Sequence, residues 1–111
     1  MKIEQIGDWT LEDRLAMGGR PLVVMFVESD GQKNPLLRAE FRRVAENHRD
    51  AKFYEVDLLE NPSLIQKYSI PKPPMTLVFV DGVEVARHAG ALIATTINRA
   101  LGPCRQGGDE S

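Results

Sequence analysis

Pro74-Met-Thr-Leu-Val-Phe-Val-Asp-Gly82 is the stretch from which the rest of the fold is read. Met75 to Val80 is apolar without alternation. Side chains of a strand point to opposite faces in turn, so a strand wet on one face would show a polar residue at every second position. The run therefore predicts a strand buried on both faces. Asp81-Gly82 follows as a two-residue turn whose glycine tolerates the positive φ of a tight hairpin, and Val83-Glu-Val-Ala-Arg-His-Ala89 returns as an antiparallel edge strand. Leu22-Val-Val-Met-Phe-Val27 has the same unbroken apolar pattern, so these two runs are predicted innermost in a sheet covered on both sides. Ala51-Lys-Phe-Tyr-Glu-Val-Asp57 and Lys2 to Ile6 interleave apolar with polar residues and are placed toward the edges.

Helices are predicted between the strands. Asn34-Pro35 and Asn61-Pro62 each join an N-cap acceptor to a proline already fixed at helical φ. The first of these helices runs to about His48, with Leu37, Phe41, Val44 and Ala45 on one face. The second is short and ends near Tyr68, before Ile70-Pro-Lys-Pro-Pro74. An N-terminal helix from Asp8 or Thr10 to Met17 stops at Gly18-Gly19, and a last one over residues 91–101 stops at Gly102-Pro103. The order is β-α-β-α-β-α-β-β-α. Helix-linked strands favour right-handed parallel crossovers and the hairpin adds antiparallel pairing, which gives an α/β fold with a central mixed β-sheet and helices on both faces. Residues 1–102 form one domain and residues 103–111 a flexible polar tail without core-forming side chains.

Composition narrows the function classes. Of 111 residues, 42% are apolar and 27% charged, and fourteen Lys and Arg against sixteen Asp and Glu leave a formal charge of −2. No surplus positive charge is present to release counterions from a nucleic acid or to hold an anionic membrane, so neither is an expected partner. The lone Cys104 makes no internal disulfide, and His48 and His88 have no metal-ligand spacing, so no metal and no cofactor is predicted. The N-terminal residues carry acids and no apolar signal segment, and no apolar run approaches a membrane span. A cytoplasmic location is expected.

The local strings also carry a resemblance. Val56-Asp-Leu-Leu-Glu-Asn-Pro-Ser-Leu-Ile-Gln-Lys-Tyr-Ser-Ile70 resembles the thioredoxin segment that links the third strand to the third helix, without a gap. Pro74 to Gly82 resembles the thioredoxin run of a cis-proline, an apolar strand and a hairpin glycine, and Ala89-Gly90-Ala91 its loop before the last helix. The resemblance spans roughly residues 2–101 and implies a thioredoxin-like fold with Pro73-Pro74 cis. It fails at the chemistry: the ungapped count places Gly31-Gln32-Lys33-Asn34 where thioredoxins carry Cys-Gly-Pro-Cys. The family's buried acid falls on Met25, and its tryptophans before the motif fall on Val27 and Asp30. Thiol exchange needs an attacking thiolate and a second thiol to resolve the mixed disulfide, so the implied member is redox-inactive.

Other features have plain readings. Leu101-Gly-Pro-Cys104 looks like the motif without its first cysteine, but Cys104 follows a helix C-terminus, which disfavours a thiolate, and an unreactive tail thiol is expected. Ser29 to Asn34 would suit an anion before a helix N-terminus, yet Asp30 stands there as well, and a polar loop capped by Asn34-Pro35 is the reading adopted. A Ser29 nucleophile lacks a nearby base. Arg38, Arg42, Arg43 and Arg49 with Lys33 are interleaved with Glu40 and Glu46, as on a solvated helix face; an acidic protein partner is the alternative reading.

The resemblance then implies a protein or peptide-binding or adaptor module. Its groove is assigned to Asp30, Gly31, Gln32, Lys33, Asn34, Pro73, Pro74, Met75, Ala89, Gly90 and Ala91, with a partner strand held beside Met75 by main-chain hydrogen bonds. No residue is assigned a catalytic role. Two alternatives stand beside it: an oxidoreductase working through Cys104 or a partner's thiol, and a structural or chaperone-like subunit using a helix face or the sheet edge.

Overall fold

A computed structural model describes residues 3–28, 35–90 and 94–101. In chain order the elements are β1 (Glu4–Gln5), α1 (Asp8–Met17), β2 (Leu22–Val27), α2 (Pro35–Glu46), β3 (Lys52–Asp57), α3 (Ser63–Lys67), β4 (Met75–Val80), β5 (Val83–Ala89) and α4 (Ala94–Leu101). The five-stranded sheet has the order β1-β3-β2-β4-β5. β3 pairs parallel with β1 and with β2, while β4 runs antiparallel to both β2 and β5. β2 and β4 are interior strands, and every residue of β2 is buried.

Strand alternation divides the core into two layers. On one face Val24, Phe26, Val56, Leu77 and Phe79 pack with Leu11 of α1 and Leu64 of α3. On the other, Val23, Met25, Val27, Phe53 and Val78 pack with Leu37, Phe41 and Val44 of α2 and with Ile97 of α4. The hairpin turns through positive φ at both Asp81 (52°) and Gly82 (81°), the geometry whose twist matches that of the flanking strands. β5 is the edge strand expected, with a register irregularity opposite Val78 and Phe79.

Three details correct the sequence reading. β3 does lie toward one edge, next to β1, but it is not the exposed strand expected: it is paired on both sides and only its first residue is exposed. Its polar residues are buried because their partners come from elsewhere. Glu55 takes the guanidinium of Arg38 on α2, and the Asp57 carboxylate accepts the Leu59 N–H at 2.9 Å. α2 ends at Glu46, and Asn47 and His48 continue as a tighter turn, their N–H groups donating to Val44 and Ala45 at 3.0 and 3.2 Å. Asn61 does not cap its own helix, since no side chain caps α3. Its Oδ1 accepts the Asp8 N–H at 3.3 Å and its Nδ2 donates to the Asp57 carbonyl at 3.0 Å. α1 begins after Gly7, which has no side chain to serve as a cap, so the acceptor comes from across the fold. The other predicted cap, Asn34, lies outside the described residues, as do the start of the last helix at residues 91–93 and the tail.

Candidate functional site

β4 starts where β2 ends. The register pairs Phe26 with Met75, so the chain leaving β2 through Val27 and Glu28 departs beside the prolines that precede β4. On the other side Met75 is in register with Ala89 at the end of β5. The Pro73–Pro74 peptide bond is cis, and the Gly90 N–H donates to the Pro74 carbonyl at 2.9 Å. Proline has no N–H, so Pro74 cannot return the second bond of that rung and the ladder ends there. Gly90 continues past the rung with φ of 87°, a left-handed conformation that suits glycine.

The structure thus brings Pro73, Pro74, Met75, Ala89 and Gly90 to one end of the sheet. The other assigned residues, Asp30, Gly31, Gln32, Lys33, Asn34 and Ala91, lie outside the described residues, as do Ser29 and Cys104. Met75 itself is buried and belongs to the core layer under α1 and α3. Because it is flanked by β2 on one side and β5 on the other, it offers no free strand edge. The expected strand addition beside Met75 is corrected by this pairing. Among the described residues this end presents exposed Glu28, Lys72 and Ala89, with half-buried Pro73 and Pro74.

Arg87 braces this end from the edge strand. Its guanidinium donates to the carbonyls of Tyr68 and Ser69 at 3.0 and 2.9 Å, and to Glu84 Oε1 at 2.8 Å. A further contact reaches Met75 Sδ at 3.7 Å. Ser69 closes α3 with φ of 54°, and the arginine takes up carbonyls that a short helix leaves free. The same hydrogen bond holds the Glu84 carboxyl below its ordinary range. Burial, with a smaller contribution from Asp8, pushes the Tyr68 phenol up.

Beneath the α2/α4 layer a row of cross-strand neighbours shares one face: Glu55 on β3, Met25 on β2, Thr76 on β4 and His88 on β5. Met25, at the place of the resemblance's buried acid, is fully buried. The sequence reading missed Glu55, a buried carboxylate one strand away. Arg38 Nη2 donates to both of its oxygens, at 3.0 and 3.2 Å, so this carboxylate is engaged as an ion pair. A glutamate between Phe53, Tyr54 and Val56 is the signal that could have found it. Thr76 Oγ1 is buried with no hydrogen-bond partner among the described residues, and His88 Nδ1 lies 2.8 Å from Thr96 Oγ1 on α4. Further from the site, buried His48 joins α2 to α4 through a 2.6 Å contact of Nε2 with Asn98 Oδ1.

The comparisons with known proteins agree with this architecture. A designed protein is 23% identical, covering 91% of this chain and 99% of its own, with a TM-score of 0.80. Chloroplastic thioredoxin z is 27% identical over 92% of this chain and 93% of its own, with a TM-score of 0.76. The thioredoxin of Fasciola hepatica is 23% identical over 89% and 96%, with a TM-score of 0.74. No family model matches the chain, and no curated protein matches it by sequence. The chain has the thioredoxin-like fold, with the mixed sheet and flanking helices of that class.

Proposed function

We propose that the protein is a redox-inactive thioredoxin-like binding module that holds a protein or extended peptide at the sheet end formed by Pro73, Pro74, Ala89 and Gly90. The observation that carries the reading is the contrast at that end. The cis-proline and its glycine partner stand in place around β4. Gly31-Gln32-Lys33-Asn34 supplies no thiol, and the sole cysteine is Cys104. Met25, fully buried and apolar, replaces the acid that would move the proton of a resolving thiol. An exchange reaction would need all three of these missing groups at once. Target recognition is a documented property of a similar protein: the structure of chloroplastic thioredoxin z defines a type-specific target recognition.

The partner packs against the apolar surface of Pro73 and Ala89, with Lys72 as the neighbouring charge. Strand addition is not the mode, because Met75 is flanked by strands and Pro71, Pro73 and Pro74 have no N–H to donate. A single cysteine in the sequence suits a reducing compartment, in keeping with a cytoplasmic location. Among the described residues no helix is long and apolar enough to cross a membrane.

Blocking the end tests the reading. Met75 is unsuitable for this purpose since it is buried, whereas Ala89 is exposed. Affinity capture from a native extract under reducing conditions is expected to retain a partner with the unmodified chain and to lose it with Ala89→Arg. Retention of the same partner by that variant would move the interaction to another surface. The structural-subunit reading has one specific observation in its favour, the exposed Val83 and Val85 on edge strand β5. Loss of the partner on Val85→Lys, with Ala89→Arg harmless, would select it.

A further inference from the structure

A hollow of about 390 Å³ opens at the opposite end of the sheet, where β1, β3 and β2 begin and α1 ends. Buried Leu22 and Tyr54 form its floor, and Glu4, Arg14, Arg20 and Lys52 stand around it. Met17, 71% exposed, stays at the rim and does not fill it. The volume falls within the range of small-molecule sites, which typically enclose about 300–1,000 Å³ and combine an apolar lining with a few convergent polar groups.

Three cations converge on the hollow. The three cations come from three separate segments: the last turn of α1, the loop after it and the first residue of β3. None of them is ion-paired among the described residues, which is also true of Arg42, Arg49, Lys72 and Arg99; what sets them apart is that they meet around one hollow. The molecule carries a formal −2 overall, so three unpaired cations around one apolar floor concentrate positive potential against the net charge. Three features oppose them: the Glu4 carboxylate, the Asp81 carboxylate that accepts the Gly19 N–H at 3.3 Å beside lining Gly18, and the negative end of the α1 dipole, which amounts to about half a charge. The balance stays positive.

We propose that this hollow binds a small organic anion, a phosphate or carboxylate carried on an aromatic or aliphatic body. The guanidinium groups of Arg14 and Arg20 are suited to grip planar or tetrahedral oxyanions with paired donors, and Lys52 adds a point charge. The body of the ligand covers Leu22 and the Tyr54 ring. A bare phosphate would leave most of the hollow unfilled, which is why the occupant is amphipathic. The site is remote from the prolines and independent of what binds there.

Titration of the ¹⁵N-labelled full chain with phenyl phosphate tests this. Saturable amide shifts are expected at Arg14, Gly18, Arg20 and Lys52, with inorganic phosphate binding more weakly than phenyl phosphate. Arg20 and Lys52 are exposed, so Arg20→Gln with Lys52→Gln preserves the fold and is expected to weaken phenyl phosphate by about tenfold, the loss of two partly exposed charge contacts. Glu4→Gln removes the only carboxylate of the lining among the described residues and is expected to tighten binding, a sign that a merely structural role would not produce. Absence of saturable shifts would overturn the proposal, as would a double variant that binds phenyl phosphate as well as the unmodified chain. Equal affinity for inorganic phosphate would overturn the amphipathic ligand.

Discussion

The two faces of the sheet are built on different terms. The face under α1 and α3 is closed by aliphatic and aromatic side chains, with Tyr68 set between Phe26 and Phe79 at ring-centroid distances of 5.7 and 6.0 Å. The face under α2 and α4 has an equally dense apolar layer, but it also buries Glu55, Thr76 and His48. Buried polar groups cost desolvation and return little unless each finds a partner. The first face is therefore purely apolar, while the second adds buried polar groups that are mostly partnered, Thr76 Oγ1 and His48 Nδ1 being those left without one among the described residues. The difference shows where the fold tolerates a penalty: in the layer that also holds the Glu55–Met25–Thr76–His88 row.

Substitutions on the two faces should separate in size and sign. The largest effect belongs to Leu77→Ala on the apolar face. Leu77 is fully buried in the middle of β4, and the cavity left behind is expected to cost about 2–5 kcal/mol, read from the midpoint of urea unfolding. A loss below 1 kcal/mol would mean that this layer is loosely packed and that the contrast between the faces is false.

Arg38→Ala comes next. It strips the partner from a carboxylate whose side chain is 5% exposed, while the arginine, at 39%, keeps its own access to water. The expected cost is about 2–3 kcal/mol, less than for a fully buried pair. Adding Glu55→Leu should recover most of it, because the penalty lies in the orphaned charge. If the double variant is as unstable as the single one, Glu55 is not held by Arg38 in the way the 3.0 Å contact indicates.

The smallest effect has the opposite sign. Thr76→Val keeps the shape of the side chain and removes a buried hydroxyl that has no partner among the described residues. A gain of about 1 kcal/mol in unfolding free energy is expected. A loss of that size would identify a hydrogen bond to Thr76 from one of the segments outside the described residues.

How much was legible in the sequence follows the same division. Met75–Val80, Leu22–Val27 and the Asp81-Gly82 hairpin were readable because unbroken apolar runs and a turn dipeptide are local signals. β3 was placed toward an edge, where it lies, but was read as too exposed, because Tyr54, Glu55 and Asp57 look solvent-facing until Arg38, 17 residues away in sequence, is folded against Glu55. Asn61 was correctly recognised as a capping residue and assigned to the wrong helix, since its acceptor serves Asp8, 53 residues away. Pro73, Pro74 and Gly90 were found through the resemblance, whereas the burial of Met75 depends on the strands flanking it on both sides. Nothing local pointed to the hollow, whose cations come from three segments that only the packing of α1 against β2 and β3 brings together.

The central claim is that the fold is kept for binding without thiol chemistry, and an insulin reduction assay tests it most directly. With dithiothreitol as reductant, the unmodified chain is expected to give no more turnover than dithiothreitol alone, and Cys104→Ser is expected to be indistinguishable from it. Turnover above that background that disappears in Cys104→Ser would contradict the account, because the tail cysteine would then be forming a mixed disulfide with substrate.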